Sequence, residues 1–424
     1  MSLTFPSSPA TGDTYTAASN TWYWDGIKWR SQGYQGAIGP AGATGSAGND
    51  LPKITAVTYT DSGYTSNGAS SIAPSTAGYI YLTGSNFQSG CSVYINGSQM
   101  TSAYVSSTRV NVAITSLSAA SYHIYFYNPD GGTTVSVNGL TIITPITLSG
   151  GTVTYDGNYT VRTFNTTGSL VVSGGTLLTD VLVVAGGGAG GYNTSNSGGG
   201  GAGGLIYHQG ASIASGTYVV TIGGGGSPGQ SYANKSVGNG TNTTVGALYT
   251  AVGGGVGAGL FSPYSDGANA GGSGGGAAYS GGSTGGATTQ SSQSGNSGTY
   301  GFGYAGGNAS ADNSAGGGGA GTVGGTGFSA GNNLRNLSGA GGAGKSIGIV
   351  LVASPSYYAG GGGGGTANNS VGGAGGVGGG GAGWASGGVV GVDGTVNKGG
   401  GGGASSTGST GAGGSGVVII RYLT

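Results

Sequence analysis

From Gly186 to Gly416 the chain is written largely in glycine tracts, and this stretch limits what it can fold into more than any other. Of the 108 glycines, 85 lie from Gly186 onward, in tracts such as 186–191, 198–204, 316–321, 360–365 and 372–383. Glycine loses more conformational freedom on folding than any other residue, so composition alone points to disorder. Two features oppose that. Charge is nearly absent: the block carries only Lys235, Asp266, Asp312, Arg335, Lys345, Asp393 and Lys398, fewer charges than a solvated disordered tail would carry. The tracts are also cut by apolar, strand-like words, Tyr218-Val219-Val220-Thr221-Ile222, residues 347–352 and Val417-Val418-Ile419-Ile420. A flexible linker has no use for these.

An ordered alternative exists. A polyproline-II-type helix has three residues per turn and no internal hydrogen bonds. Without side chains, neighbouring helices approach closely and exchange N–H···O=C bonds, which satisfies the backbone as a sheet does. The expected fold class is therefore all-β strands plus a glycine-rich, polyglycine-II-type helix bundle, with the residues between tracts expelled as loops at its ends. Good helix formers are scarce, since all ten acidic residues are Asp and Leu, Lys and Arg are few, so almost no α-helix is expected.

Net charge is zero, with ten basic and ten acidic residues. That speaks against nucleic-acid binding and against a polybasic membrane anchor. No run reaches the ~18 apolar residues of a membrane span, and the N-terminus, Met1-Ser2-Leu3-Thr4-Phe5-Pro6, lacks the regions of an export signal. Cys91 is alone and reads as a buried inert thiol.

Residues 1–32 form a small aromatic module. Tyr23-Trp24-Asp25-Gly26-Ile27-Lys28-Trp29 places Asp-Gly between aromatic and apolar residues, a type I′ hairpin signal. Trp22, Trp24 and Trp29 form the core of such a module or a platform for a ligand. The pattern Pro-x-x-Gly-Asp-x-Tyr followed by Trp-Asp-Gly-x-x-Trp resembles N-terminal repeats of phage virion proteins, which implies attachment to the particle through Trp22, Trp24 and Trp29. Gly33, Gly36, Gly39, Gly42, Gly45 and Gly48 then recur every third residue. This collagen-like stalk, 33–50, implies a homotrimer; the alternatives are a single-chain linker and a monomeric tip.

Residues 51–145 read as short strands at 54–59, 79–83, 92–95, 109–114, 122–127 and 133–142, separated by Asn96-Gly97 and Asn128-Pro129-Asp130-Gly131-Gly132. This spacing suggests an immunoglobulin-like sandwich. Leu82-Thr83-Gly84-Ser85-Asn86-Phe87 resembles the IPT/TIG family, which implies a spacer or binding module rather than a chemistry.

Residues 146–424 form the last domain. Tyr159-Thr160-Val161-Arg162-Thr163-Phe164, Val181-Leu182-Val183-Val184-Ala185-Gly186-Gly187-Gly188 and Gly413-Gly414-Ser415-Gly416-Val417-Val418-Ile419-Ile420-Arg421-Tyr422 resemble, as a set, the glycine-rich C-terminal domain of phage tail-fibre adhesins. We expect 181–184 and 417–420 to pair and close the base of the bundle.

Motifs for catalysis are weak. Gly339-Ala340-Gly341-Gly342-Ala343-Gly344-Lys345-Ser346 fits a P-loop by letter, but a phosphate cradle needs a strand before it and a helix after it. The run 347–352 reads as a strand instead. His123 and His208 are isolated, and one cysteine makes no zinc site. We expect no enzyme, no metal and no cofactor. The informative residues in the block are aromatics and amides between tracts: Tyr232, Asn234, Phe261, Tyr264, Tyr300, Phe302, Tyr304, Phe328, Tyr357, Tyr358 and Trp384. A glycine bundle has no room for such rings, so they belong on outer faces or in end loops, where Tyr, Ser, Gly and Asn suit recognition. The resemblances imply an elongated multidomain phage tail-fibre or tail-tip adhesin, virion-borne and extracellular after host lysis. Its partners would be a host surface glycan or outer-membrane protein and the phage tail or baseplate, with no nucleic acid and no membrane insertion. The alternative is a structural fibre without specific receptor binding.

Overall fold

The structure, a computed structural model, describes residues 4–17, 20–31, 51–74, 76–144, 146–192, 196–229, 238–261, 264–265, 268–278, 283–292, 294–295, 298–299, 301–310, 313–328, 337–366, 371–385, 390–406 and 408–423. The collagen-like stretch and the P-loop's flanking residues 331–336 lie outside them. The described residues form strands, turns and glycine tracts, with no helix. The chain divides into two compact units, one through residue 145 and one from Ile146.

The first unit begins with a three-stranded antiparallel meander, β1 (Thr14–Ala17), β2 (Asn20–Trp24) and β3 (Trp29–Ser31). Trp24 pairs with Trp29, so the connection has four residues rather than the two of a type I′ hairpin. The Asp25 carboxylate closes it, accepting the Ile27 and Lys28 N–H groups at 2.9 and 2.8 Å and pairing with Arg30. Phe5 stacks on Trp29 at 5.3 Å and meets Trp22 edge-on at 5.4 Å. Trp22, Trp24 and Trp29 are thus half-buried and packed against Phe5 and one another.

A seven-stranded antiparallel sheet follows: β4 (Lys53–Thr60), β5 (Gly78–Ser85), β6 (Ser92–Ile95), β7 (Ser98–Ser106), β8 (Arg109–Ile114), β9 (Ala120–Tyr127) and β10 (Thr133–Ile142). Their spatial order is β10-β9-β6-β7-β8-β5-β4. The sequence reading missed β7. Its first residues, 98–100, pair with β6 and the rest, 101–106, with β8. A strand that changes partner midway has no single apolar face, so it shows no alternation. The sheet encloses one core, with Ile80, Leu82, Ile95, Val110, Ile124 and Phe126 fully buried. The two-residue turn Asn96-Gly97 has both φ angles positive, 52° and 76°, the signature of a type I′ hairpin. The Gly-Ser-Asn-Phe word is also explained. A Cβ on Gly84 would lie 1.9 Å from the Lys53 carbonyl oxygen. Asn86 adopts φ 60°, and Phe87 is buried against Phe126 at 4.5 Å.

In the second unit we number β11 (Thr147–Ser149), β12 (Thr152–Asp156), β13 (Tyr159–Phe164), β14 (Gly168–Ser173), β15 (Leu177–Val184), β16 (Asn196–Ser197), β17 (Leu205–Ile213), β18 (Gly216–Thr221), β19 (Thr243–Val245) and β20 (Tyr249–Ala251). One antiparallel sheet runs β11-β14-β18-β19-β20. The other runs β12-β13, the C-terminal strand Val417–Leu423, β15, β17 and the short strand Gly301–Phe302. Val181 to Val184 pair with Ile420 to Val417, residue for residue. Val181, Val183, Val418 and Ile420 face a core shared with the five-stranded sheet. Leu182, Val184, Val417 and Ile419 share the opposite core with Ala202, Ala320, Ile349 and Tyr358. Being covered on both faces explains why these words are apolar without interruption. At the rim the register sets Asp180 opposite Arg421, joined at 2.6 Å. A second Arg421 nitrogen donates to the Gly348 carbonyl at 3.0 Å. Residues 347–352 are not the strand expected. The strand there is Lys345–Ile347, after which the chain turns, burying Ile349 and leaving Leu351 and Val352 exposed.

Beyond the six-stranded sheet the glycine tracts are neither strand nor helix, yet their N–H groups are bonded in a fixed rotation. Gly198, Gly201 and Gly204 donate to Ala258, Gly255 and Val252. Gly199 and Ala202 donate to Ala315 and Gly318, and Gly200 and Gly203 to Gly402 and Gly399. The same tract accepts from Ala185, Gly188 and Gly191, from Ser273 and Gly276, and from Gly362, so it touches six neighbouring tracts. Residues 186–191 repeat the scheme, with Gly186 and Ala189 donating to Thr241 and Gly238 and Gly187 and Gly190 to Gly414 and Gly411. The donor direction returns every third residue, whereas a β-strand would return every second.

Approach is too close for side chains. A Cβ on Gly198, Gly199, Gly200 or Gly201 would lie 1.8–2.2 Å from a neighbouring carbonyl oxygen. Where the array ends, side-chain oxygens replace the missing tract: Asn242 and Asn239 Oδ1 accept from Gly253 and Val256 at 2.9 and 2.8 Å, and Gln290 Oε1 accepts from Val252 at 2.9 Å. The pair Gly224 and Gly225 tests this packing. A Cβ on Gly225 would meet the Gly413 carbonyl at 1.8 Å, while one on Gly224 meets only Thr241 Oγ1 at 3.9 Å. In urea unfolding, Gly225→Ala is expected to cost at least about 3 kcal/mol. Gly224→Ala should stay within about 1 kcal/mol of the parent.

Candidate functional site

The second unit has two chemically different ends. The tract following β15 runs away from the six-stranded sheet, and the tract 198–204 returns into β17. Successive tracts reverse direction, so the connections between them alternate between a sheet end and a far end. Gly191, Ala258, Gly276 and Ala315 lie at the far end, linked to or level with Gly198 and Gly199. Gly204 bonding Val252, and Ala320 bonding Ala359, mark the sheet end.

This alternation sorts the residues expected to form a recognition surface. Tyr232, Asn234 and Tyr300 lie outside the described residues. Phe261 and Tyr264 are register partners in a two-stranded ladder on the connection that follows Ala258, at the far end. Phe328 and Trp384 are also at the far end. Phe302, Tyr357 and Tyr358 are at the sheet end, with Tyr304 two residues into the array. Tyr358 is only 6% exposed and belongs to the core beneath the sheet, where burial pushes its hydroxyl pKa up. Trp384 is likewise 6% exposed. These two rings are covered, against the expectation that bulky residues stand on outer faces. A bulky side chain is excluded only from between tracts, and the sheet end supplies a core that takes Tyr358. Phe302 is packed partly against that core, with the Lys345 ammonium 3.9 Å above its ring. Tyr304, Phe328 and Tyr357 are open, Phe328 most of all at 64%.

Part of the far end is joined through its backbone. Phe328 and Leu337 exchange hydrogen bonds at 2.8 and 3.0 Å, and Leu337 bridges to Val371. All three are exposed, and Leu337 and Val371 escaped the sequence reading because nothing local marks them as neighbours. Buried hydroxyls fix the tract ends that carry this surface: Ser197 Oγ donates to the Ser405 carbonyl at 2.9 Å, and Ser314 Oγ to the Gly365 carbonyl at 2.7 Å. Asn196–Ser197 pairs with Gly365–Thr366. The connections here are rich in Ser, Thr, Asn and Gly; Lys235, Asp266, Asp312 and Arg335 lie outside the described residues. At the sheet end Asp180 and Arg421 pair with each other.

The chemistry set aside from the sequence can be located. In the P-loop-like run, Gly341, Gly342 and Gly344 already donate their N–H groups to Ala374, Gly317 and Val377, and a strand follows rather than a helix. No cradle for phosphate is left. Among the described residues no three or more His, Cys or Asp converge as metal ligands. Burial lowers the His208 pKa, and His208 Nδ1 lies 2.9 Å from the Tyr249 hydroxyl. Burial raises the pKa of the Cys91 thiol, as for an unreactive cysteine. The sorting predicts mutational costs: Trp384→Ala should destabilise the domain by about 3 kcal/mol, while Phe328→Ala and Tyr357→Ala should each cost less than about 1 kcal/mol. Thermal unfolding of the three variants checks this.

No curated protein matches the chain in sequence. Residues 160–423, more than half of its length, match the glycine-rich domain family. They run from the strand beside the C-terminal strand, through every glycine tract, to the C-terminal strand itself. The chain belongs to the glycine-rich domain family.

Proposed function

We propose that this protein is a tail-fibre or tail-tip adhesin of a phage, and that the far end of its glycine array binds a receptor on the host surface. The observation that carries this reading is the separation of the two ends. At one end the tracts that carry Ala202, Ala320 and Ala359 are fixed to a conventional apolar core, while the other end displays connections rich in Ser, Thr, Asn and aromatic residues with little charge. Tyr and amide side chains suit adaptable recognition with small ordering cost, and low charge suits a glycan or a neutral outer-membrane protein surface, found without electrostatic steering. The three-residue rotation of hydrogen bonds supports polyglycine-II-type helices as the scaffold. In the other unit, β7's change of partner around a single core supports an immunoglobulin-like sandwich of the IPT/TIG kind, acting as a spacer. The aromatic meander would dock the chain to the virion, and residues 33–50 would form a collagen-like stalk between three copies.

The test is binding of the purified, labelled chain to intact bacteria of the strain that its phage infects. Replacing residues 328–337 and 366–371 with Gly-Ser segments of equal length should abolish binding and leave the melting temperature within about 3 °C of the parent. Replacing Tyr357 by Ser, at the other end, should leave binding unchanged. Undiminished binding after both far-end replacements would overturn the proposal.

A further inference from the structure

The first unit carries a groove that the adhesin reading does not use. On β9, Ile124 and Phe126 point into the core, so Ser121, His123, Tyr125 and Tyr127 stand on the opposite, outer face. On β6, Val93 and Ile95 are buried and Tyr94 stands outward. The register sets Tyr94 beside Tyr125 and Ser92 beside Tyr127. Four rings therefore share the outer face of two adjacent strands, where an antiparallel sheet ordinarily presents polar side chains to water.

The aromatic meander covers part of this face. Tyr23 is 7% exposed; its hydroxyl contacts that of Tyr125, and its ring meets His123 at right angles, 5.5 Å between centroids. Beside this contact lies a groove of about 540 Å³, within the range that small ligands occupy. Tyr94, Tyr127, Asp25, Arg30, Asn96 and Ser121 are among the residues that line it. Tyr94 and Tyr127 are perpendicular, with centroids 5.5 Å apart, so between them they offer a ring face and a ring edge.

We propose that this groove binds a neutral saccharide of about two residues. The C–H face of a pyranose stacks on a tyrosine ring, and its hydroxyls need donors and acceptors a few ångströms away. The groove supplies both, from the Arg30 guanidinium, the Asn96 amide and the Asp25 carboxylate, which keeps lone pairs beyond those it already uses. Asp25 and Arg30 neutralise each other, and burial holds the His123 imidazole below its ordinary pKa. The groove thus has no net charge with which to select an anion or a cation. An extended peptide fits less well, because β6 and β9 are interior strands of the sheet and offer no free edge for strand addition. This site is independent of the far end of the glycine array, which is in the other unit.

The full chain is titrated with cellobiose, maltose, lactose and N,N′-diacetylchitobiose, following intrinsic fluorescence and saturation-transfer NMR. At least one sugar is expected to saturate with a Kd in the millimolar range or tighter. Tyr127→Ala and Tyr94→Ala should each weaken it roughly tenfold or more, and Tyr127→Phe, which keeps the ring, should stay within about twofold. A chain whose residues 328–337 and 366–371 have been replaced should still bind, which separates this groove from the proposed receptor site. The proposal fails if none of the four sugars saturates, or if Tyr94→Ala and Tyr127→Ala bind as the parent does.

Discussion

The second unit depends on one distance, the approach of a glycine Cα to a neighbouring carbonyl oxygen. Across tract 198–204 an added methyl would sit about 2 Å from that oxygen at position after position, well inside contact. The missing side chain therefore does more than free the backbone. It lets an interior tract such as 198–204 lie against six others and hand its N–H groups to three of them in rotation. This satisfies the backbone where few side chains exist to bury, and Cα–H···O contacts add a weak second attraction. The entropy lost in ordering so much glycine is large, so the array must offset it by cooperation among many bonds, none of which a lone tract could form.

Such an array has boundaries that need treatment, and the chain treats them in two ways. Toward the sheets, Ala202, Ala320 and Ala359 exchange the array's polar surface for an apolar one shared with Leu182, Val184 and Ile419. At the flanks, Asn239, Asn242 and Gln290 present carbonyl oxygens where no further tract exists. The C-terminal strand closes the structure. It inserts between β13 and β15, so the last residues of the chain hold the first tract in place.

Much of this was legible in the residues. The apolar words 181–184 and 417–420 announce strands buried on both faces, and their pairing follows. What was not legible has physical causes. β7 serves two halves of one sheet and carries no periodicity. The run Ile347-Gly348-Ile349-Val350 reads as a strand because its residues are β-branched, yet it is a turn held down by Arg421 and by the burial of Ile349. Asp25-Gly26 reads as a two-residue turn, but the Asp25 carboxylate prefers to cap a longer one. The candidate site was half legible: the composition of the connections was plain, but their ends were not. Counting tract reversals from β15 would have separated Phe328 from Tyr357. It would not have revealed that Tyr358 and Trp384 are covered, since that depends on which core each ring meets.

Amide hydrogen exchange on the intact chain is the most direct test of the central claim, because it reads the glycine N–H groups themselves. The N–H groups of residues 198–204 and 186–191 should exchange as slowly as those of Val181 to Val184, and open with them as a single unit. Exchange of the tracts at rates expected of an unstructured glycine chain, with 181–184 still protected, would contradict the account.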